Sequence, residues 1–148
     1  LFSPGTGATQ KAALASAYQR KENIVFYYWF PTSVVGSMDL VQLELPPYDK
    51  EKQLCLTDVN CADPQPTAYP DNPVFTAVNT EFSEKAPKLI GFLSKVEVSL
   101  DAMNETLSYM DENELDAEPT AQWFLKSKQD VWTQWLPADV AQRVQAAL

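Results

Sequence analysis

The 148-residue sequence predicts an α/β protein in which a few strands precede a helix-rich C-terminal end. Three observations carry this expectation. Residues 24–28 read Ile-Val-Phe-Tyr-Tyr, the β-branched and aromatic composition of a strand. Residues 40–45 alternate, with Leu40, Gln42 and Glu44 on one side and Val41, Leu43 and Leu45 on the other, the period of a half-buried strand. From Leu89 onward apolar residues return at helical spacing.

Taken in order, residues 8–20 predict a helix whose apolar face carries Ala12, Leu14, Ala15 and Tyr18, with Gly5 and Gly7 punctuating its start. Gly5-Thr6-Gly7 reads as a helix-entry turn, the alternative being a set of backbone N–H groups offered to an anion. The strand at 24–28 follows and stops at Phe30-Pro31. After the strand at 40–45, Pro46 and Pro47 begin a long section reaching Pro73. The prolines at 46, 47, 64, 66, 70 and 73 predict a stiff, ordered loop there. Residues 74–79 resume as a strand. Leu89, Phe92, Leu93 and Val96 predict one helix, and Leu100, Met103, Leu107 and Met110 another. Pro119 suits the first turn of the next helix, and Val140, Val144 and Leu148 mark a final amphipathic one.

Composition narrows the function. A net charge of −9 opposes nucleic acid, whose phosphates need a basic footprint, and opposes an anionic membrane surface. No run approaches the ~18 apolar residues of a membrane span. Histidine is absent, which removes Ser-His-Asp and Cys-His arrangements, an imidazole base and His-containing metal sites. The acids of DENELDAE, including Asp111, Glu112 and Glu114, lie in a polar break between two helical patterns, where solvated charge is the expectation. The same stretch fails as a calcium loop, because Leu115 and Asp116 stand where an oxygen ligand and a glycine are required. Neither an enzyme nor a cofactor is implied. Asn104-Glu105-Thr106 matches a glycosylation sequon in mid-helix and reads as a chance match.

Cys55 and Cys61 stand in QLCLTDVNCADP with five residues between them, Asp58 and Asn60 among these. The spacing allows a small disulfide loop, which would imply an oxidising compartment; two free buried thiols are the alternative. Of four tryptophans, Trp123, Trp132 and Trp135 fit helical faces and core packing. Trp29 differs. It ends the aromatic run Tyr27-Tyr28-Trp29, precedes Phe30-Pro31 and is followed by the small residues Thr32 and Ser33, so core and ligand contact are equally open to it.

Several stretches resemble the C-terminal half of the substrate-binding proteins of ABC transporters for glycine betaine, proline betaine and choline. They are AYQRKENIVFYYWFPT, MDLVQLELPPYD, CADPQPTAYPDNPVFTAVNTEF, APKLIGFLSKVEVS and QDVWTQWLPADV, and together they cover nearly the whole chain in the family's order. The resemblance implies part of a two-lobed periplasmic-binding-protein fold with ligand held between the lobes. On it, residues 1–30 would finish the second lobe, 31–37 would form the crossing or hinge segment, and 38–148 would make the C-terminal part of the first lobe. The family's amino-terminal half would then be missing, consistent with a chain that enters at Leu1 with no strand before its first helix.

The resemblance further implies an exported, periplasmic or extracytoplasmic protein in which Cys55 and Cys61 are disulfide-bonded. Its partners would be a small quaternary ammonium ligand, a transporter permease, and either the missing half of the same protein or a second copy. The family's W-x-P element maps onto Trp29-Phe30-Pro31, whose tryptophan would line a cage around the ammonium. Family members carry an aromatic residue or a histidine shortly after that proline, where this chain has Thr32, Ser33 and Val34. Tyr28 and Thr32 are accordingly the further candidates for ligand contact. Because residues 8–28 would lack the other strands of their own lobe, they are also expected to pack against a second copy, to swap, or to be the least protected segment. Two other classes remain: a stand-alone interaction or sensory module that has lost ligand binding, and an enzyme working with carboxylates alone.

Overall fold

Helices dominate the computed structural model, which describes residues 3–148. In chain order they are α1 (Gly7–Gln19), α2 (Ser33–Ser37), α3 (Lys50–Thr57), α4 (Thr80–Lys85), α5 (Pro87–Leu93), α6 (Leu100–Glu112), α7 (Ala117–Ser127), α8 (Gln129–Trp132) with a 3₁₀ turn at Thr133–Trp135, and α9 (Ala138–Gln145). The chain divides into two compact units, one of Leu1–Asp39 with Glu81–Leu148 and the other of Leu40–Thr80.

The α/β expectation is corrected here. No β-strand occurs among the described residues, and 24–28, 40–45 and 74–79 all lack regular structure. A strand exists only when a neighbouring backbone accepts and donates its hydrogen bonds. Composition and alternation can mark a segment suited to that state without supplying the neighbour. The side of 40–45 expected to be buried is open: Val41, Leu43 and Leu45 are 86%, 63% and 50% exposed.

Helix starts follow local chemistry. Thr6, Thr32 and Ser99 accept, through their hydroxyl oxygens, the N–H groups of Thr9, Val35 and Ala102, and the Asp49 carboxylate accepts those of Glu51 and Lys52. Each cap satisfies amides that the first turn leaves without partners. Pro87 opens α5, and Pro119 lies in the first turn of α7. Two helix ends are alike. After α1, Lys21 has φ 56°, the Lys21 N–H donates to the Tyr18 carbonyl and the Glu22 N–H to that of Ala17. After α6, Glu114 has φ 52°, with Glu114 donating to Asp111 and Leu115 to Met110. Both are Schellman ends built without the glycine that usually occupies the left-handed position.

Within the larger unit, α2 lies against α6. A Cβ added at Gly36 would meet the Asn104 carbonyl oxygen at 2.2 Å and its carbon at 2.7 Å, an approach that only glycine permits. Val34 is 1% exposed, and Asn104 and Ser108 on the facing side of α6 are buried. Further along, the Trp132 ring is buried and its indole N–H donates to the Leu125 carbonyl at 2.7 Å. Trp135 meets Phe92 and Phe124, both at 6.4 Å between ring centroids, and Trp123 stacks on Tyr109 at 4.1 Å. These three tryptophans pack among helices, as their spacing implied. The helix expected through Val96 ends at Leu93.

The smaller unit corrects the long-loop expectation in one place, since α3 occupies Lys50–Thr57. Around it the proline-rich chain is tied by Thr67, whose buried hydroxyl accepts the Asp49 N–H at 2.8 Å and donates to the Pro47 carbonyl, and by the Ala68 N–H on Pro46. The Cys55–Cys61 disulfide links the last turns of α3 to the turn that follows, with Cα atoms 5.2 Å apart. Asp58 shapes that turn: its carbonyl accepts the Cys61 N–H and its carboxylate the Asn60 N–H.

Candidate functional site

The aromatic stretch between α1 and α2 is left open by the fold: Tyr27, Trp29 and Phe30 are all exposed. Trp29 is 47% exposed and lies flat on Tyr28, with ring centroids 4.5 Å apart and planes within 9°. The Tyr27 and Trp29 ring centroids are 6.4 Å apart, the planes tilted by 35°, and Phe26 meets Tyr28 edge-on at 6.2 Å. The Phe30–Pro31 peptide is cis. Rings 4.5 Å apart are already in contact, so a third group can meet this pair only on an outer face.

The stretch is anchored at both ends by side-chain amides. The Gln10 Nε2 of α1 donates to the Tyr27 carbonyl at 2.8 Å, and the Asn104 Oδ1 of α6 accepts the Thr32 N–H at 2.8 Å. Thr32 uses its hydroxyl oxygen to cap α2 through Val35 at 3.4 Å, which leaves the hydroxyl hydrogen as its offering to a ligand. Asn104 went unrecognised in the sequence because its place in a sequon hid its place on a helix face.

The acids of DENELDAE have partners or exposed surroundings. Asp111 is paired with Lys11 of α1, the Ser108 hydroxyl donates to Glu112, and Glu114 takes the left-handed position after α6. Ser33, Leu107, Met110, Asp111, Glu114 and Leu115 border an open cleft of about 370 Å³, to which Trp29 does not contribute. Among the described residues no group of three or more Cys, Asp or Glu is placed to hold a metal ion. Elsewhere, at the end of α1, the Arg20 guanidinium hydrogen-bonds both oxygens of Glu22. That bond holds the Glu22 carboxyl below the usual glutamate range and the Arg20 guanidinium above its own.

Trp29 is thus exposed and stacked on the half-buried Tyr28, in a stretch tied to α1 at one end and to α6 at the other. The family model for the substrate binding domain of ABC-type glycine betaine transport system matches residues 1–127, and the chain belongs to this family. Its role is therefore solute binding for ABC-type transport of the glycine betaine kind. No curated protein matches the chain. No described helix is long and apolar enough to cross a membrane.

Proposed function

We propose that this chain binds quaternary ammonium compounds, with glycine betaine, proline betaine and choline as the leading candidates, and passes them to an ABC permease outside the cytoplasmic membrane. The observation that carries the reading is the 47% exposed Trp29 face, backed by Tyr28 and followed by a proline. A trimethylammonium group has no N–H, so hydrogen bonds cannot recognise it. An aromatic face can, through its negative quadrupole, at roughly 0.5–2 kcal/mol per ring. The same attraction operates elsewhere in this chain, where the Lys128 ammonium lies 6.0 Å from the Trp123 ring centroid. Tyr28 covers one face of Trp29 and leaves the other for the ligand, and the Thr32 hydroxyl supplies a donor for a carboxylate or hydroxyl on the ligand.

One ring is not a binding site. A micromolar complex needs about 8 kcal/mol, so further rings must come from outside this chain. Exposed apolar side chains support the same reading in each unit by itself: Val25 in the larger one, and Val41, Val59, Val74 and Phe75 in the smaller, are each at least 81% exposed. We take the cover to be the remainder of the same binding protein, with residues 31–37 crossing between the parts formed by 1–30 and by 38–148. The Cys55–Cys61 disulfide fits an extracytoplasmic location.

The test is calorimetric titration of the intact protein with the three quaternary compounds and with glycine as the unmethylated comparator. Binding of at least one quaternary compound, with glycine silent, is expected. Glycine binding as tightly as glycine betaine would overturn the reading.

A further inference from the structure

We propose that Asn104 is a positioning residue for the ligand surface: from the buried face of α6 it fixes the Trp29 ring through the backbone of Thr32. This rests on the reading of Trp29 as a ligand contact.

The geometry makes Asn104 the better of the two anchors. Residues 22–32 carry no regular helix or strand, so no repeating backbone ladder holds the aromatic stretch. Three residues beyond Trp29, the Thr32 N–H enters the Asn104 Oδ1 at 2.8 Å. Asn104 is 5% exposed, so water does not compete for that bond, and loss of the acceptor leaves a part-buried N–H without a partner. The Asn104 backbone lies close against Gly36, where the two helices approach too closely for a Cβ, so the point from which its side chain reaches Thr32 is fixed by helix packing. Val34, on α2 between Thr32 and Gly36 in sequence, is itself buried. Pro31 limits the backbone between the anchor and the ring, since its own φ is fixed near −65°. With one soft dihedral fewer on a path of three residues, a displacement at Thr32 has less freedom in which to be absorbed before Trp29. Gln10, at the Tyr27 end, is partly exposed and bonds a carbonyl that water can also reach. It steadies the stretch without fixing its direction.

Affinity responds steeply to the placement of an aromatic face, since both the quadrupole attraction and the exclusion of water depend on the ring meeting the methyl groups flat. Asn104 contacts no ligand in this scheme. It acts through the position of the ring alone.

The experiment uses the intact protein labelled with 5-fluorotryptophan, the Trp29 resonance being assigned with Trp29→Phe, and glycine betaine as the calorimetric probe. Asn104→Ala is expected to shift the Trp29 fluorine resonance, to leave those of Trp123, Trp132 and Trp135 in place, and to weaken glycine betaine by about tenfold, which is 1.4 kcal/mol. Asn104→Asp keeps an acceptor oxygen at the same reach and is expected to return the Trp29 resonance and most of the affinity. A Trp29 resonance unmoved by Asn104→Ala would overturn the proposal. So would movement of all four resonances together, or failure of Asn104→Asp to restore the Trp29 resonance, because either would make Asn104 a packing residue only. Failure of the underlying reading is separable: Trp29→Phe and Trp29→Ala would then leave the affinity unchanged, while the fluorine shift would still report whether Asn104 holds the ring.

Discussion

Gly36→Ala is expected to be among the most damaging single-methyl additions in this chain. The new Cβ would fall 2.2 Å from the Asn104 carbonyl oxygen and 2.7 Å from its carbon, and the obstacle is helix backbone rather than the end of a movable side chain. Ordinary contact needs at least 3.4 Å, so α2 must lift from α6 by more than 1 Å. Overpacking of this kind costs about 1–3 kcal/mol. Lifting α2 also strains the 2.8 Å bond between Thr32 and Asn104, whose loss adds about 1 kcal/mol. The expected total is about 2–4 kcal/mol, or roughly 5–15 °C in Tm for a chain of this size. Gly91→Ala is the control. It lies inside α5 with nothing within 4 Å of its virtual Cβ, so the substitution should be neutral or stabilising by up to about 1 kcal/mol from helix propensity. Thermal unfolding followed by circular dichroism at 222 nm compares the two. A Gly36→Ala Tm within about 2 °C of the parent would mean that α2 does not sit on α6 as described.

Other outcomes follow from single contacts. Lys21→Gly should stabilise the chain by about 0.5–1 kcal/mol in denaturant melts, because it keeps the Schellman bonds and removes a side chain from a φ of 56°. Trp132→Phe should cost about 1–3 kcal/mol, leaving the part-buried Leu125 carbonyl without the indole donor, and a change under about 0.5 kcal/mol would refute that bond. Unfolded, non-reduced protein should contain no free thiol, and Cys55→Ser with Cys61→Ser should lower stability by about 2 kcal/mol from loop entropy. The Glu22 carboxyl should titrate below the ordinary glutamate range and return to it in Arg20→Gln, as read by carbon-detected NMR. Because its folded value is the depressed one, whatever the pair contributes to stability is present above the unfolded glutamate pKa and lost as pH falls through the folded one.

Helices with strong local signals were legible in the sequence. The expectation of residues 8–20 meets α1 at Gly7–Gln19, and the row from Leu100 to Met110 meets α6 at Leu100–Glu112. There the caps and the periodicity agree, and both are encoded within a few residues. The short α2 is too brief to show a period, and α3 was hidden by the prolines on either side and by Leu54 and Leu56, which are exposed rather than gathered on a core stripe. The three expected strands failed for a different reason, since pairing is a property of two segments and only one was ever in view. For the site, the sequence could mark Trp29 by its company of aromatics, proline and small residues. It could not mark Asn104, which lies 72 positions from the Thr32 N–H it accepts and becomes visible only once α2 is laid on α6.

The claim that matters most is that the exposed Trp29 face meets the ligand. Calorimetric titration of glycine betaine, proline betaine and choline into the intact protein and its Trp29→Ala variant tests it most directly, with the circular dichroism of the two compared first. Matching spectra are expected, with a loss of roughly one to two orders of magnitude in affinity for whichever compound binds, from the cation–π attraction and the water the ring excludes. Unchanged affinity in a folded Trp29→Ala protein would contradict it.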